Sequence, residues 1–485
     1  MQPKPRPIEA LANADTASCE PLSTADFDAF MEPFTPFSSR IGVAVSGGPD
    51  SMALAWCLKS WSSRHRHEVT ALIVDHGLRI GSAAEAERVK NELSSLDLTS
   101  EILLWQHSPV TTRLHVTARK ARYRLLIEAC QRLGIRDLFL AHQLEDQAET
   151  ILMRLAKGSG IDGLAGMSGQ NIIDGTRIVR PLLNVSKERL MTTCRTAKLF
   201  YVTDPSNSSD KFARGRLRRV LPILKEEGLS IDRLVDLGSR AREAKEALDH
   251  YTIALLTVAS RLDGAGVLRF DIEHLRSTPS AVAQRALSLC LQSVHSEDYP
   301  PERSALLRLF KALIDDKDMP PRTLHGCLVS KSARYATITR EFSAIKDSQN
   351  ICVGETIVWD QRWRVSLAHD DKPCEGEQEK IGGANLSLAQ TDNSQVKNVG
   401  LYSSHLKGYT IAALGNPTHN QLDRLAPDLR HIVPQGRARA ALPALWLNGE
   451  LALIPSLPHT PTISGAGAIV LTEWPPSLHF IDAKH

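Results

Sequence analysis

The sequence predicts an α/β protein: a doubly wound parallel sheet, then a mainly helical domain, then a C-terminal α+β or β-rich domain. Three observations predict it. Between residues 40 and about 200, short apolar runs of strand length alternate with amphipathic helical stretches. From about 228 to 345, apolar residues recur at helical spacing instead. From about 401, Pro and Gly interrupt short apolar runs, as in strands joined by loops.

The first strand is Ile41-Gly42-Val43-Ala44-Val45, apolar throughout, as expected of a parallel strand covered on both faces. Further strands are expected at 69–74, 101–105, 138–141 and 178–183. Helices are expected at 82–96, with Ser82 as N-cap and Glu85 completing a capping box, and at 115–133, stopped by Gly134. Two more are expected at 145–156, closed by Gly158, and at 186–199, with Ser186 as cap. Ligands of such a sheet bind at the carboxyl ends of its strands. The loop after the first strand, Asp75-His76 and His142 all follow strands, so they should meet at that edge.

In the second region Leu234, Leu237, Ala241, Ala244, Leu248 and Tyr251 trace one helix, and 328–340 reads as a hairpin. The expected domains are a flexible tail (1–38), the parallel-sheet domain (39–225), a mainly helical domain (228–345) and a C-terminal domain (346–485). The polar stretch 371–400 reads as a flexible insert in the last of these.

A chain of 485 residues has room for two or three domains. No run approaches the ~20 apolar residues of a membrane helix, and the first 38 residues lack the apolar core of a signal peptide. The eight cysteines include no C-x-x-C pair, which argues against a zinc ribbon or a disulfide framework and for reduced thiols in a cytoplasmic protein. The net charge of +3 confines any nucleic-acid surface to a local patch.

The chemistry begins with Ser46-Gly47-Gly48-Pro49-Asp50-Ser51, between the first strand and the first helix. A helix N-terminus with free backbone N–H groups cradles phosphate. Gly47 and Gly48 let the backbone approach an anion, and Ser46 and Ser51 add hydroxyl donors. The loop is not a Walker A sequence, having neither its spacing nor its lysine, and it lacks G-x-G-x-x-G.

Asp146 and Glu149 stand at i and i+3 of a helix that starts just after a strand, so both carboxylates share a face. Acids in a first turn also serve simply to complement the helix dipole. The position at the ligand edge favours a site for an ammonium group. Arg119 and Arg122 share a helical face too; a solvated basic face and a clamp for phosphate charge are both compatible with that spacing. Between 211 and 219 lie five basic residues and no acid, with Phe212 interleaved, just beyond the nucleotide-binding region. That run suits a solvated surface or RNA phosphate contacts.

The S-G-G-x-D-S loop resembles the pyrophosphate loop of the ATP pyrophosphatases, which split ATP into AMP and pyrophosphate. With Val74-Asp75-His76-Gly77-Leu78-Arg79, Ala118-Arg119-Lys120-Ala121-Arg122-Tyr123, Ala141-His142 through Glu149-Thr150, Arg180-Pro181-Leu182-Leu183, Asp204-Pro205-Ser206-Asn207 and Arg214…Arg218, the order over 40–225 is similar to that of the tRNA(Ile)-lysidine synthetase family. Thr323-Leu324-His325-Gly326-Cys327 and Arg340-Glu341 look familial more weakly. There are departures: Gln143 stands where the family usually has a second histidine, and Phe212 and Gly215 replace a tyrosine and an asparagine.

The resemblance implies an ATP pyrophosphatase fold and a ligase. ATP adenylates the carbonyl oxygen at carbon 2 of the wobble cytidine in a CAU-anticodon isoleucine tRNA; the amine of free L-lysine then displaces AMP, giving lysidine. It implies ATP binding by Ser46, Gly47, Gly48, Pro49, Asp50 and Ser51 and catalytic roles for Asp50, Arg119 and Arg122. It further implies Mg²⁺ at Asp50 with ATP, lysine binding by Asp146 and Glu149, and tRNA contacts by Arg214 and Arg218. Members of the family are often homodimers. Rival readings are another tRNA-modifying pyrophosphatase, such as a thiolase, and a non-catalytic RNA-binding relative. The first would need paired cysteines, and the second predicts loss of the loop or the carboxylates, which are intact.

Overall fold

The computed structural model describes residues 20–78, 81–107, 114–202, 213–263, 266–296, 299–352, 354–369, 409–417, 421–422, 437–454 and 468–473. The chain divides into two compact units between Glu246 and Ala247.

The first unit is built on β1 (Arg40–Val45), β2 (Glu68–Asp75), β3 (Thr99–Leu104), β4 (Asp137–Phe139), β5 (Gln170–Ile173) and β6 (Thr176–Val179). Their order is β3-β2-β1-β4-β6-β5. All neighbours from β3 to β6 pair in parallel, and β5 adds antiparallel at the edge. The chain moves outward from β1 to β3, then returns to β4 on the other side of β1. That reversal opens a crevice above the carboxyl ends of β1 and β4, where sheets of this kind bind ligands.

Helices cover both faces: α2 (Pro49–His65), α3 (Ser82–Ser95), α4 (Leu114–Leu133), α5 (Leu144–Ala156) and α7 (Lys187–Thr196), with a single turn, α6 (Ile161–Leu164). On one face Ile41, Val43 and Val45 bury against Leu54, Leu58 and Leu190. On the other Leu72, Leu138 and Ile178 bury against Leu126 and Cys130. Burial on both sides explains why the strands read as continuous apolar runs. α8 (Ala213–Glu226) and the start of α9 (Ile231–Ala259) place Leu217, Leu221 and Leu234 against Ala148, Ile151 and Leu152 of α5.

Three local features differ from the sequence expectation. Residues 1–38 were expected as a loose tail; of these, 20–38 are built into the unit. Ser23 and Asp26 cap α1 (Thr24–Met31) reciprocally, and Leu22, Phe27 and Met31 lie in the core. The surrounding Pro and acidic residues mask the i, i+4 pair Phe27–Met31. At α3, Gly81 stands at the N-cap with φ +96, and Ser82 is already helical. The edge strand β5 is an addition, joined to β6 by Asp174-Gly175, both at positive φ, the chemistry of a tight hairpin.

The second unit opens with helices and short strands. β7 (Ser260–Leu262), β8 (Leu268–Asp271), β9 (Arg322–Leu324), β10 (Cys327–Lys331) and β11 (Tyr335–Arg340) form an antiparallel sheet in the order β7-β8-β11-β10-β9. The expected hairpin at 328–340 is β10–β11. α10 (Ile272–Ser277), α11 (Ser280–His295) and α12 (Arg303–Asp315) pack on this sheet through Leu275, Leu287, Leu291 and Leu309.

Beyond it lie two further sheets. One contains β12 (Gln349–Ile351), β15 (Tyr409–Ala413), β16 (Pro443–Leu447) and β17 (Glu450–Leu453); the other contains β13 (Thr356–Trp359), β14 (Trp363–His369) and β18 (Ala468–Glu473). Trp359 and Trp363 fill their shared core. The stretch 371–400, expected to be a flexible insert, lies outside the described residues.

Candidate active site

The end of β1 runs straight into the Ser46–Ser51 loop and the start of α2. Gly48 is the N-cap, extended at φ −73 and ψ 161, and no side chain caps this helix. Its first N–H groups therefore stay available to a ligand. Pro49 at N1 has no N–H to leave unsatisfied. Gly47 sits at φ +82, and a Cβ there would come within 2.6 Å of Val89 Cγ2, so backbone and space both demand glycine. Ser51 Oγ donates to the Gly48 carbonyl at 3.0 Å and accepts from Ser46 N at 3.2 Å, which shapes the loop before any phosphate arrives. The loop is also held from outside: Val202 N donates to the Gly47 carbonyl at 2.8 Å, and Cys194 Sγ donates to the Pro49 carbonyl at 3.2 Å.

β4 leads through His142 to α5, whose N-cap is Gln143. The Gln143 side-chain oxygen accepts from Glu145 N at 2.5 Å and Asp146 N at 3.3 Å, while the Asp146 carboxylate accepts weakly from Gln143 N at 3.4 Å. Gln143 is buried at 2% exposure. The start of α7 docks here as well. Lys187 N donates to Glu145 Oε2 at 3.0 Å, and Leu144 N donates to the Val185 carbonyl at 3.0 Å.

Asp50, Glu145, Asp146 and Glu149 thus face Lys187 and Arg218 around one crevice edge. Burial raises the Asp50 carboxyl to about 6; Asp146 and Glu145 push it the same way, and Lys187 and Arg218 oppose them. Asp50 Oδ1 is buried without a hydrogen-bond partner among the described residues. Burial likewise raises Glu145. Among the described residues, four carboxylates against two cations leave the edge short of positive charge, and the orphaned Asp50 oxygen marks where a cation fits.

Glu149, at 1% exposure, does not stand open beside Asp146. Arg218 of α8 holds it through Nε–Oε1 at 2.5 Å and Nη2–Oε2 at 3.4 Å. The resemblance implied a tRNA contact for Arg218; its guanidinium, 37% exposed, holds Glu149, because a buried carboxylate needs a cation. Arg214 lies in the first turn of α8, and its side chain is outside the described residues.

At the end of β2, Asp75 accepts from Gly77 N at 3.0 Å, and His107 packs against Trp105 with its ring tilted by 36° and meets the His76 carbonyl at 3.1 Å. His76 Nδ1 is buried without a partner among the described residues, and burial together with Arg122 keeps the imidazole below its ordinary pKa. Arg122 is therefore near the strand end, half-buried, whereas Arg119 is exposed. Both guanidiniums lie over the Tyr123 ring, at 5.3 Å for Arg119 and 5.7 Å for Arg122. Spacing predicted a common face, and Tyr123 is what they share.

Residues 21–224 match the PP-loop domain family. A tRNA(Ile)-lysidine synthase from Ruegeria pomeroyi is 35% identical over 351 residues, covering 72% of this chain and 81% of that protein. This chain belongs to the tRNA(Ile)-lysidine synthase family. The member from Anaplasma marginale is 30% identical over 444 residues, covering 90% and 91% of the two chains, and one from Rhodopseudomonas palustris is 41% identical over 277 residues, covering 56% and 80%. Members of the lysidine synthase family are ATP-using ligases that modify tRNA, and this chain is one of them.

Sequence reasoning about this lysidine synthase site missed three residues. Gln143 was noted only as a replaced histidine, and glutamine is an uncommon N-cap. Cys194 carried no local signal. Lys187 follows the Ser186 cap and was read only as part of a helix start.

Proposed function

We propose that this lysidine synthase family member joins free L-lysine to carbon 2 of the wobble cytidine in the CAU-anticodon isoleucine tRNA, through an adenylated tRNA intermediate. The observation that carries this reading is the juxtaposition at one crevice: an uncapped helix start built for phosphate beside a cluster of carboxylates short of a cation.

Ser46, Gly47, Gly48 and Ser51 receive the phosphates of ATP through backbone N–H groups and hydroxyls, and Pro49 sets the first turn of the helix beneath them. Asp50 fits Mg²⁺ accompanying ATP, since its buried Oδ1 lacks any donor. Bound there, the ion would offset phosphate charge during adenylyl transfer. Arg122 of α4, whose charge acts on His76 just after β2, and Arg119 add positive charge towards the α-phosphate. The cytidine O2 attacks the α-phosphorus, and pyrophosphate leaves. The lysine amine then attacks carbon 2, and AMP leaves with the electron pair of the broken C–O bond.

Asp146, half-buried, is the more open carboxylate for the lysine ammonium; Glu149 reaches it only where Arg218 shares its hold. A protonated amine cannot attack, so a carboxylate or water at this edge takes its proton. Arg214 and the outer residues of α8 are then left for the tRNA backbone.

The reaction is tested by pyrophosphate release from Mg²⁺·ATP with and without that tRNA, followed by radiolabelled lysine. Release that depends on the tRNA, with label entering it, supports the proposal. Release without label would assign another nucleophile to this scaffold, and no release with any tRNA would favour a non-catalytic relative.

A further inference from the structure

We propose that Lys187 supplies the lysine that the pyrophosphate loop itself lacks, its ammonium neutralising the β- and γ-phosphates of ATP and then the leaving pyrophosphate. The inference rests on the use of ATP and not on the identity of the nucleophile.

The loop from Ser46 to Ser51 contains no basic residue, and its only charge is the carboxylate of Asp50. A triphosphate carries several negative charges, and a helix start offers only partial positive charge. Phosphate sites of this geometry commonly add a lysine as a point charge. Here none comes from the loop, so a neighbouring element must deliver it.

α7 is placed to do so. Its start is tied to the start of α5 by Lys187 N to Glu145 Oε2 at 3.0 Å and by Leu144 N to the Val185 carbonyl at 3.0 Å. Two turns on, Cys194 Sγ reaches the Pro49 carbonyl at 3.2 Å, which seats α7 against the first residue of α2. Lys187 and Cys194 are seven positions apart, so they share a face, about 10 Å apart along the axis. The face that touches the loop therefore carries Lys187 at its N-terminal end, between the pyrophosphate loop and the α5 carboxylates. Among the charges acting on Asp50, Lys187 is the leading cation, and it acts on Glu145 too.

A cation in the first turn of a helix opposes the dipole and needs compensation. Glu145 and Asp50 provide it in the absence of ATP. A bound triphosphate adds a larger charge at the same edge, and a flexible four-carbon stem lets the ammonium turn towards it. A lysine serving only as counter-ion to Glu145 would contribute to folding and not to phosphate discrimination.

The experiment compares binding of Mg²⁺·ATP and of AMP by the full chain, by calorimetry without tRNA or lysine, for wild type, Lys187→Met and Lys187→Arg. The expected result is that Lys187→Met weakens ATP about 10- to 100-fold and AMP less than about 2-fold, with Lys187→Arg recovering most of the loss. Inhibition by added pyrophosphate should weaken in parallel. Equal losses for ATP and AMP, or no loss for either, would overturn the proposal. Should Lys187→Met not fold, Lys187→Gln carries the same contrast. Because tRNA and lysine are absent, failure here is separable from failure of the lysine-ligation reading, which the labelled-lysine assay decides.

Discussion

The starts of α2 and α5 sit at the ends of adjacent parallel strands, yet they are finished in opposite ways. α2 begins Gly48-Pro49, with no side-chain cap, and leaves its N–H groups open. α5 is capped by Gln143, which engages the N–H groups of Glu145 and Asp146 and leaves carboxylates facing the crevice. On the proposed reading, two helix termini with the same dipole become an anion site and a cation site side by side. The difference lies in the cap and the first-turn residues, not in the backbone fold. A ligase that must hold ATP and an ammonium-bearing nucleophile together needs that pairing.

The comparison can be broken most severely at Gly47. Gly47→Ala forces a left-handed alanine into 2.6 Å contact with Val89. Pyrophosphate release should fall about 100-fold or more while the α5 carboxylates stay intact. Arg218→Ala acts on the other side by leaving Glu149 buried and unpaired. A loss of about 2–3 kcal/mol is expected, reduced because Arg218 is itself 37% exposed. Chemical denaturation measures it, and Glu149→Gln in the same background should recover most of it.

A smaller effect sharpens the role of Asp50. Its carboxyl is raised from 3.8 to about 6, so the folded state takes up a proton that the unfolded chain binds only at lower pH. The ionised form therefore costs stability above about pH 6, and that cost is relieved as the pH falls towards 4. Asp50→Asn should be the more stable protein at pH 7, with the difference in Tm narrowing by pH 5 and nearly closed at pH 4. A constant difference would remove Asp50 as the titrating group. Smallest is Gln143→Ala, which removes only the α5 cap and should cost about 1 kcal/mol with little change in ATP binding.

What could be read from the sequence was whatever lies within one element. The β1 run, the loop after it and the Asp146–Glu149 spacing are local patterns, and the structure shows each in place. The periodicity at 234–251 located α9, but it did not report burial: Leu234 is in the core while Leu237 and Tyr251 are exposed. Pairings between elements were not legible. Arg218 meets Glu149 across 69 positions, and the charge of Lys187 acts on Asp50 only because α7 docks on α2. A basic run looks the same in sequence whether its arginines face RNA or a buried carboxylate. Only the packing of α8 on α5 makes Arg218 the inward one.

The most direct test of the divided edge is Asp146→Ala, assayed for Mg²⁺·ATP binding and for labelled lysine transfer to the CAU-anticodon isoleucine tRNA. If α2 holds ATP and α5 holds the ammonium, ATP affinity stays within about 2-fold while transfer falls about 100-fold. Loss of ATP binding together with transfer would contradict the division and make the two helix starts a single site.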